Sequence, residues 1–202
     1  MNQAEPIRIL ITDDHPVVRE GMASLIQRQA DMIVVGEAAD GNEALAQFRQ
    51  HRPDITLMDL RMPGMDGVAA ITAIRAESPN ARVIVLTTFD DDEDIRRALH
   101  AGAKGYLLKD AGREALLEAI RAVHAGQTRV SPELATRVLE QSRGGQRLSE
   151  NEKRAVVERP LWLTAEQAAT LLSLSSTSTL RIGAEEDALF NRLAEYLRHF
   201  NG

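Results

Sequence analysis

The chain has 202 residues, 44% of them hydrophobic and 27% charged, with no cysteine and a formal net charge of −6. That length allows one large or two small domains with packed cores, and the missing cysteines exclude disulfides, thiolate nucleophiles and Cys-based zinc sites. The start has no basic region followed by a long apolar stretch, and no apolar run approaches the roughly 18 residues of a membrane span. A cytoplasmic address with no membrane partner is the expectation.

In chain order, residues 7–13, 32–38, 54–59, 82–87 and 104–108 are short runs rich in Ile, Val and Leu. Their hydrophobicity is too continuous for a sheet with one wet face, so they predict buried parallel strands. Helical stretches alternate with them. Val17, Val18, Met22, Leu25 and Ile26 mark the first apolar face, Ala44, Leu45 and Phe48 the second, and Val68, Ile71 and Ile74 the third. Ile95 and Leu99 mark the fourth, and Leu116, Leu117, Ile120 and Val123 the fifth. Five β/α repeats predict a doubly wound α/β domain over residues 1–126, with helices on both faces of the sheet. The final strand and helix, near Tyr106 and Leu116–Val123, are the expected dimer face.

The pattern then changes. Ser131-Pro132-Glu133 reads as a helix start, and residues 127–147 predict a linker helix followed by a flexible linker at Ser142–Arg147. Residues 148–202 predict a small helical module, clearest at Thr164–Leu172 and Ala184–Phe200. The latter is amphipathic through Leu189, Leu193, Leu197 and Phe200.

Ligands of doubly wound sheets bind at the carboxyl ends of the strands. Asp13, Asp59, Thr87 and Lys109 all fall there, with Asp14 beside Asp13. Adjacent carboxylates with a third across the sheet repel one another unless a cation intervenes, and an all-oxygen site with water suits Mg2+. An Asp59 oxygen could then attack a phosphoryl group in line, giving an aspartyl phosphate, with Lys109 pairing the developing charge and the Thr87 hydroxyl bonding a phosphoryl oxygen. Taken singly, each residue has a plainer role: Asp13 and Asp14 as helix caps, Asp59 in a turn, Lys109 in solvent. Their joint spacing favours the site. The acidic run Asp90–Asp94 suits a helix entrance, and His15 reads as a solvated neighbour of the pocket. His51, His100, His124 and His199 show no metal-ligand spacing.

Four motifs carry a resemblance: Ile11-Thr-Asp-Asp-His-Pro16, Leu57-Met-Asp-Leu-Arg-Met-Pro-Gly-Met-Asp-Gly67, Val85-Leu-Thr-Thr-Phe89 and Ala101-Gly-Ala-Lys-Gly-Tyr-Leu-Leu-Lys-Asp110. Together they resemble the receiver domain of bacterial two-component response regulators of the NarL/FixJ type. The resemblance implies a five-stranded CheY-like, flavodoxin-like sheet of order 2-1-3-4-5. It implies Asp59 as phospho-acceptor, a Mg2+ site of Asp13, Asp14, Asp59 and the Arg61 backbone carbonyl, Lys109 as pocket lysine, and Thr87 with Tyr106 as a switch pair. Its partners would be a sensor histidine kinase, a second copy of the chain on phosphorylation, and DNA. Such a protein is not an enzyme in the ordinary sense, because it assists only its own phosphorylation and dephosphorylation. Asp110 stands where many receivers have proline, so no cis-proline is expected there.

A LuxR-type helix-turn-helix is the output this type implies, and the tail matches it only in part. Leu148-Ser-Glu-Asn-Glu152 and Leu163–Leu172 resemble its opening and its first helix. The Gly-x-Ser-Asn-Lys-Glu-Ile and Val-Lys-x-His segments are missing. Residues 148–202 carry more acidic than basic side chains, whereas a DNA-binding face is basic. A helical module for dimerisation or protein contact is the alternative. Arg61 and Phe89, each two positions beyond a pocket residue, are expected to overhang the pocket and slow hydrolysis, giving a phosphorylated state that lasts minutes or longer.

Overall fold

The computed structural model describes residues 5–88, 94, 97–98, 101–127 and 129–130. Contacts divide the chain into two compact units, 1–129 and 130–202, and the structure below is that of the first. The expected linker and output module beyond Val130, including both tail helices and the helix-turn-helix segments, lie outside the described residues.

Five strands form where the apolar runs predict them: β1 (Ile7–Thr12), β2 (Met32–Ala38), β3 (Ile55–Asp59), β4 (Val83–Thr87) and β5 (Gly105–Leu108). Every residue of β3, β4 and β5 is buried, which is the mark of strands covered on both faces. They pair in parallel in the order β2-β1-β3-β4-β5, as expected. Among the described residues a two-residue strand, β6 (Arg129–Val130), follows β5 in the strand order. Two residues carry too little periodicity to announce a strand.

Among the described residues the helices are α1 (Pro16–Gln27), α2 (Gly41–His51), α3 (Gly67–Glu77) and α4 (Arg113–His124). Between β4 and β5, Asp94, Arg97 and Ala98 are helical, while Ile95 and Leu99 lie outside the described residues. Side-chain alternation sorts the sheet into two faces. Ile9, Ile11, Leu57, Ile84, Leu86 and Leu107 pack with Met22 and Ile26 of α1 and with Leu117 and Ile120 of α4. The alternate residues Leu10, Met58, Val85 and Tyr106 are buried on the opposite side, the side of α2 and α3.

One expectation about a helix face needs correction. Val17 is 81% exposed and Val18 36%, so the buried face of α1 is Met22, Ala23 and Ile26. The first turn of α1 stands at the rim where the strands end, and the sheet offers it nothing to pack against. Tyr106, Leu116, Leu117, Ile120 and Val123 are all buried in the domain. The outward side of α4 is charged, with Arg113, Glu114, Glu118 and Arg121 exposed.

The crossover direction reverses at β1: its sheet neighbours are β2 on one side and β3 on the other. The cleft at such a reversal opens at the carboxyl ends of the strands. Asp13 follows β1 directly, and Asp59 closes β3. No described helix is long and apolar enough to cross a membrane.

Candidate functional site

The loop from β3 to α3 fixes Asp59 in place. The chain turns through Gly64, at φ +73°, and re-enters a helix at Gly67, whose amide donates to the Leu60 carbonyl at 3.0 Å. A Cβ on Gly67 would lie 2.0 Å from the Asp59 carbonyl oxygen, so only glycine allows α3 to start this close to β3. Asp66 then caps α3, its Oδ1 accepting from the Ala69 amide at 2.7 Å. On the other side, the Asp13 amide donates to the Ala38 carbonyl at the end of β2, at 3.1 Å.

These backbones bring three of the expected residues into direct contact. The Lys109 ammonium reaches Asp59 Oδ2 at 2.6 Å and Asp13 Oδ2 at 2.8 Å, bridging the two strand ends. The Arg61 amide donates to Asp59 Oδ1 at 3.3 Å, and the His15 amide to Asp13 Oδ1 at 2.9 Å. Asp13 is fully buried and Asp59 nearly so, while Asp14 is half-buried at the pocket mouth.

Burial pushes the Asp59 carboxyl above its ordinary value, and the hydrogen bond and charge of Lys109 offset only part of that. Burial alone would lower Lys109, but its bonds to Asp13 and Asp59 outweigh this and hold its pKa above normal. Lys109 therefore keeps its positive charge beside two carboxylates, Asp13 and Asp59, with Asp14 next to them in the chain. Donor chemistry fits a hard divalent cation: one ligand atom from each of Asp13, Asp14, His15 and Asp59 lies within 4.8 Å of all the others.

Thr87 and Tyr106 lie on one sheet face. Val85 pairs with Tyr106 and Thr87 with Leu108, so the two side chains are diagonal neighbours on adjacent strands. The Thr87 hydroxyl donates to the Thr88 carbonyl at 2.9 Å, and the Lys109 amide donates to the Thr87 carbonyl at 2.8 Å. The Tyr106 ring is fully buried, its hydroxyl has no hydrogen-bond partner among the described residues, and burial raises its pKa well above normal. Phe89 lies outside the described residues.

Arg61 extends over the surface with Nε 3.3 Å from Asp94 Oδ2, and Arg97 reaches both Asp94, at 3.4 Å, and Asp66, at 3.2 Å. Sequence reasoning missed this bridge between the β3–α3 loop and the next helical segment, since Asp94 is one acid in a run of five. It also missed Arg19, whose guanidinium donates to the Asp13 carbonyl. The sole signal there is its spacing of six residues from Asp13. The peptide between Lys109 and Asp110 is trans, as expected from the missing proline.

A family model described as the response regulator receiver domain matches residues 9–121. The chain is 44% identical over 131 residues to the oxygen regulatory protein NreC of Staphylococcus carnosus, covering 64% of this chain and 60% of that protein. It spans 56–60% of the length of the first curated relatives it matches. Among solved structures, a two-component response regulator of the LuxR family from Aurantimonas sp. SI85-9A1 superposes with a TM-score of 0.65 at 39% identity. That match covers 68% of this chain and 98% of the other. The receiver domain of the putative response regulator NarL from Mycobacterium tuberculosis gives a TM-score of 0.59 at 38% identity, covering 61% of this chain and all of that one. The match to the receiver model across more than half of the chain, with LuxR- and NarL-type relatives around it, places this chain in the response regulator receiver family, on its NarL-type branch.

Proposed function

We propose that this protein is a two-component response regulator, phosphorylated on Asp59 by a sensor histidine kinase and controlling a C-terminal output, with transcription regulation through DNA binding as that output. The observation that carries the reading is the convergence of Asp59, Asp13 and Lys109 at the reversal of strand order, with Lys109 bonded to both carboxylates. A purely structural ion pair needs one carboxylate. Two buried carboxylates on one lysine, with a third at the mouth, retain an excess of negative charge suited to a divalent cation.

Asp13, Asp14, Asp59 and the Arg61 carbonyl would hold Mg2+, which when bound supplies positive charge that lets an anionic phosphoryl group approach. An Asp59 oxygen attacks phosphorus, forming the acyl phosphate as the bond to the kinase imidazole nitrogen breaks. Lys109 is already beside both acidic groups and shifts to a phosphoryl oxygen. Thr87 exchanges the Thr88 carbonyl for the same group, and the Tyr106 ring on the same sheet face responds to that move. The chain assists its own phosphorylation and dephosphorylation and turns over no external substrate. On phosphorylation a homodimer forms, and the cytoplasm is the site of action.

The test uses the full chain with a small phosphodonor and MgCl2. Wild type is labelled and Asp59→Asn is not; persistent labelling of the variant overturns the reading. Gel shifts against the protein's own upstream DNA, with and without a phosphoryl mimic, test the output. The acidic balance of residues 148–202 favours a second reading, an output through dimerisation or protein contact, and absence of DNA binding in both states selects it.

A further inference from the structure

We propose that His15 gives the acidic pocket a nitrogen donor, and with it a second metal-binding mode for a late first-row cation of the Zn2+ class. The proposal builds on the magnesium reading of the same carboxylates. Its starting point is geometric. The His15 ring turns onto the acidic pair, placing Nδ1 2.7 Å from Asp14 Oδ1 and 3.3 Å from Asp13 Oδ1. These are ion-pair and hydrogen-bond separations, and they hold the ring nitrogen among the carboxylate oxygens that make up the same cluster of ligand atoms.

The position itself supplies an independent argument. His15 is the N-cap residue of α1, followed by Pro16 at the first helical position, yet its side chain makes no capping hydrogen bond. Ser, Thr, Asp or Asn would cap there with the side chain, whereas His15 serves the helix start only through its carbonyl, which accepts from the Val18 and Arg19 amides. What it does instead is present an imidazole to two carboxylates. The side chain is 66% exposed, so a hydrated cation reaches it from solvent without any rearrangement of the core.

Ligand chemistry then separates the two modes. Mg2+ takes oxygen ligands and keeps much of its water, so it gains little from an imidazole. Zn2+ binds imidazole and carboxylate together, and its preference for mixed nitrogen and oxygen donors raises affinity where His15 joins Asp13 and Asp14. Coordination through Nδ1 leaves the proton on Nε2, at the solvent side of the ring. Asp59 belongs to the same cluster of ligand atoms.

Calorimetric titration of the chelator-treated, untagged full chain with ZnCl2 alone and MgCl2 alone, for wild type and His15→Gln, tests this. The variant is expected to lose roughly tenfold or more in zinc affinity, while its magnesium affinity stays within about twofold. The visible absorption bands of bound Co2+ are expected to differ between the two proteins, as loss of a nitrogen ligand requires. His51, His100, His124 and His199 are common to both proteins, so weaker zinc sites cancel in the comparison. Equal zinc affinity and equal Co2+ spectra, with magnesium still bound, would overturn the His15 mode and leave the magnesium site intact. Absence of magnesium binding alongside His15-dependent zinc binding would remove the magnesium reading and uphold this one. If neither ion binds, both fall.

Discussion

At the scale of single residues, Asp59 is held in its place at an energetic cost. Its pKa is raised chiefly by burial. A carboxyl whose folded pKa lies above its unfolded value contributes stability that is fully present below about 3.8 and is lost as pH rises through the folded value. The ionised Asp59 carboxylate therefore destabilises the fold near neutrality. Asp59→Asn is expected to be the more stable protein at about pH 7, and its advantage is expected to vanish below about pH 4, where both side chains are neutral. Urea denaturation across that range reads the effect; a wild type more stable than the variant at neutral pH contradicts it. Arg61 carries a second residue-scale prediction. Its backbone is bonded to Asp59 and its guanidinium to Asp94, so it spans the pocket mouth. Arg61→Asn combined with Phe89→Glu is expected to speed loss of the phosphoryl group from a lifetime of minutes or more, and equal rates in wild type and variant would sink the idea.

At the scale of elements, the junction of β3 and α3 matters more than either element alone. Gly67 lies against the backbone of the strand end that carries Asp59, and Gly64, in the same loop, has open space around it. The two glycines therefore separate steric contact from backbone strain. Gly67→Ala is expected to cost on the order of 3 kcal/mol and to slow phosphorylation, because the acceptor carboxylate must shift. Gly64→Ala, strained only by its positive φ, is expected to cost about 1 kcal/mol and leave phosphorylation unchanged. Denaturant midpoints with initial labelling rates check both, and equal costs would show that the close approach at Gly67 is relieved cheaply. Elements also show where periodicity stops informing. Val18 lies on the stripe of Met22 and Ile26, yet it is 36% exposed, because the stripe runs past the end of the sheet. The apolar stripe Leu116–Val123 predicted burial correctly.

At the scale of the whole molecule, the pocket couples ligand to stability. If Mg2+ is held by the folded pocket and not by the dispersed carboxylates of the unfolded chain, magnesium at 100 times its dissociation constant is expected to stabilise the domain by about 2.7 kcal/mol. Thermal melts with and without MgCl2 measure this, and Asp13→Asn is expected to abolish the gain. An unchanged gain in that variant would place the ion elsewhere. Phosphorylation that drives the domain from 1:99 to 99:1 in favour of its active state must prefer that state by about 5.5 kcal/mol. The candidates for carrying that preference are few: new bonds at Lys109 and Thr87, and the Tyr106 ring beside them.

The amino-acid sequence by itself determined the strands, their parallel arrangement and the positions of Asp13, Asp59, Thr87 and Lys109. Continuous apolar runs ending in charged residues are a local signal, and burial on both faces leaves such runs one kind of sheet to enter. Only the tertiary structure decided that Lys109 bonds both acidic groups, that Arg61 meets Asp94, and that the His15 ring turns onto Asp13 and Asp14. Those contacts join residues on different elements, or depend on a side-chain rotation, and neither leaves a period or a spacing in the sequence. Legibility followed the range of the interaction: hydrophobic burial repeats along the chain and can be read from it, whereas an ion pair across the sheet exists only once the strands are set side by side.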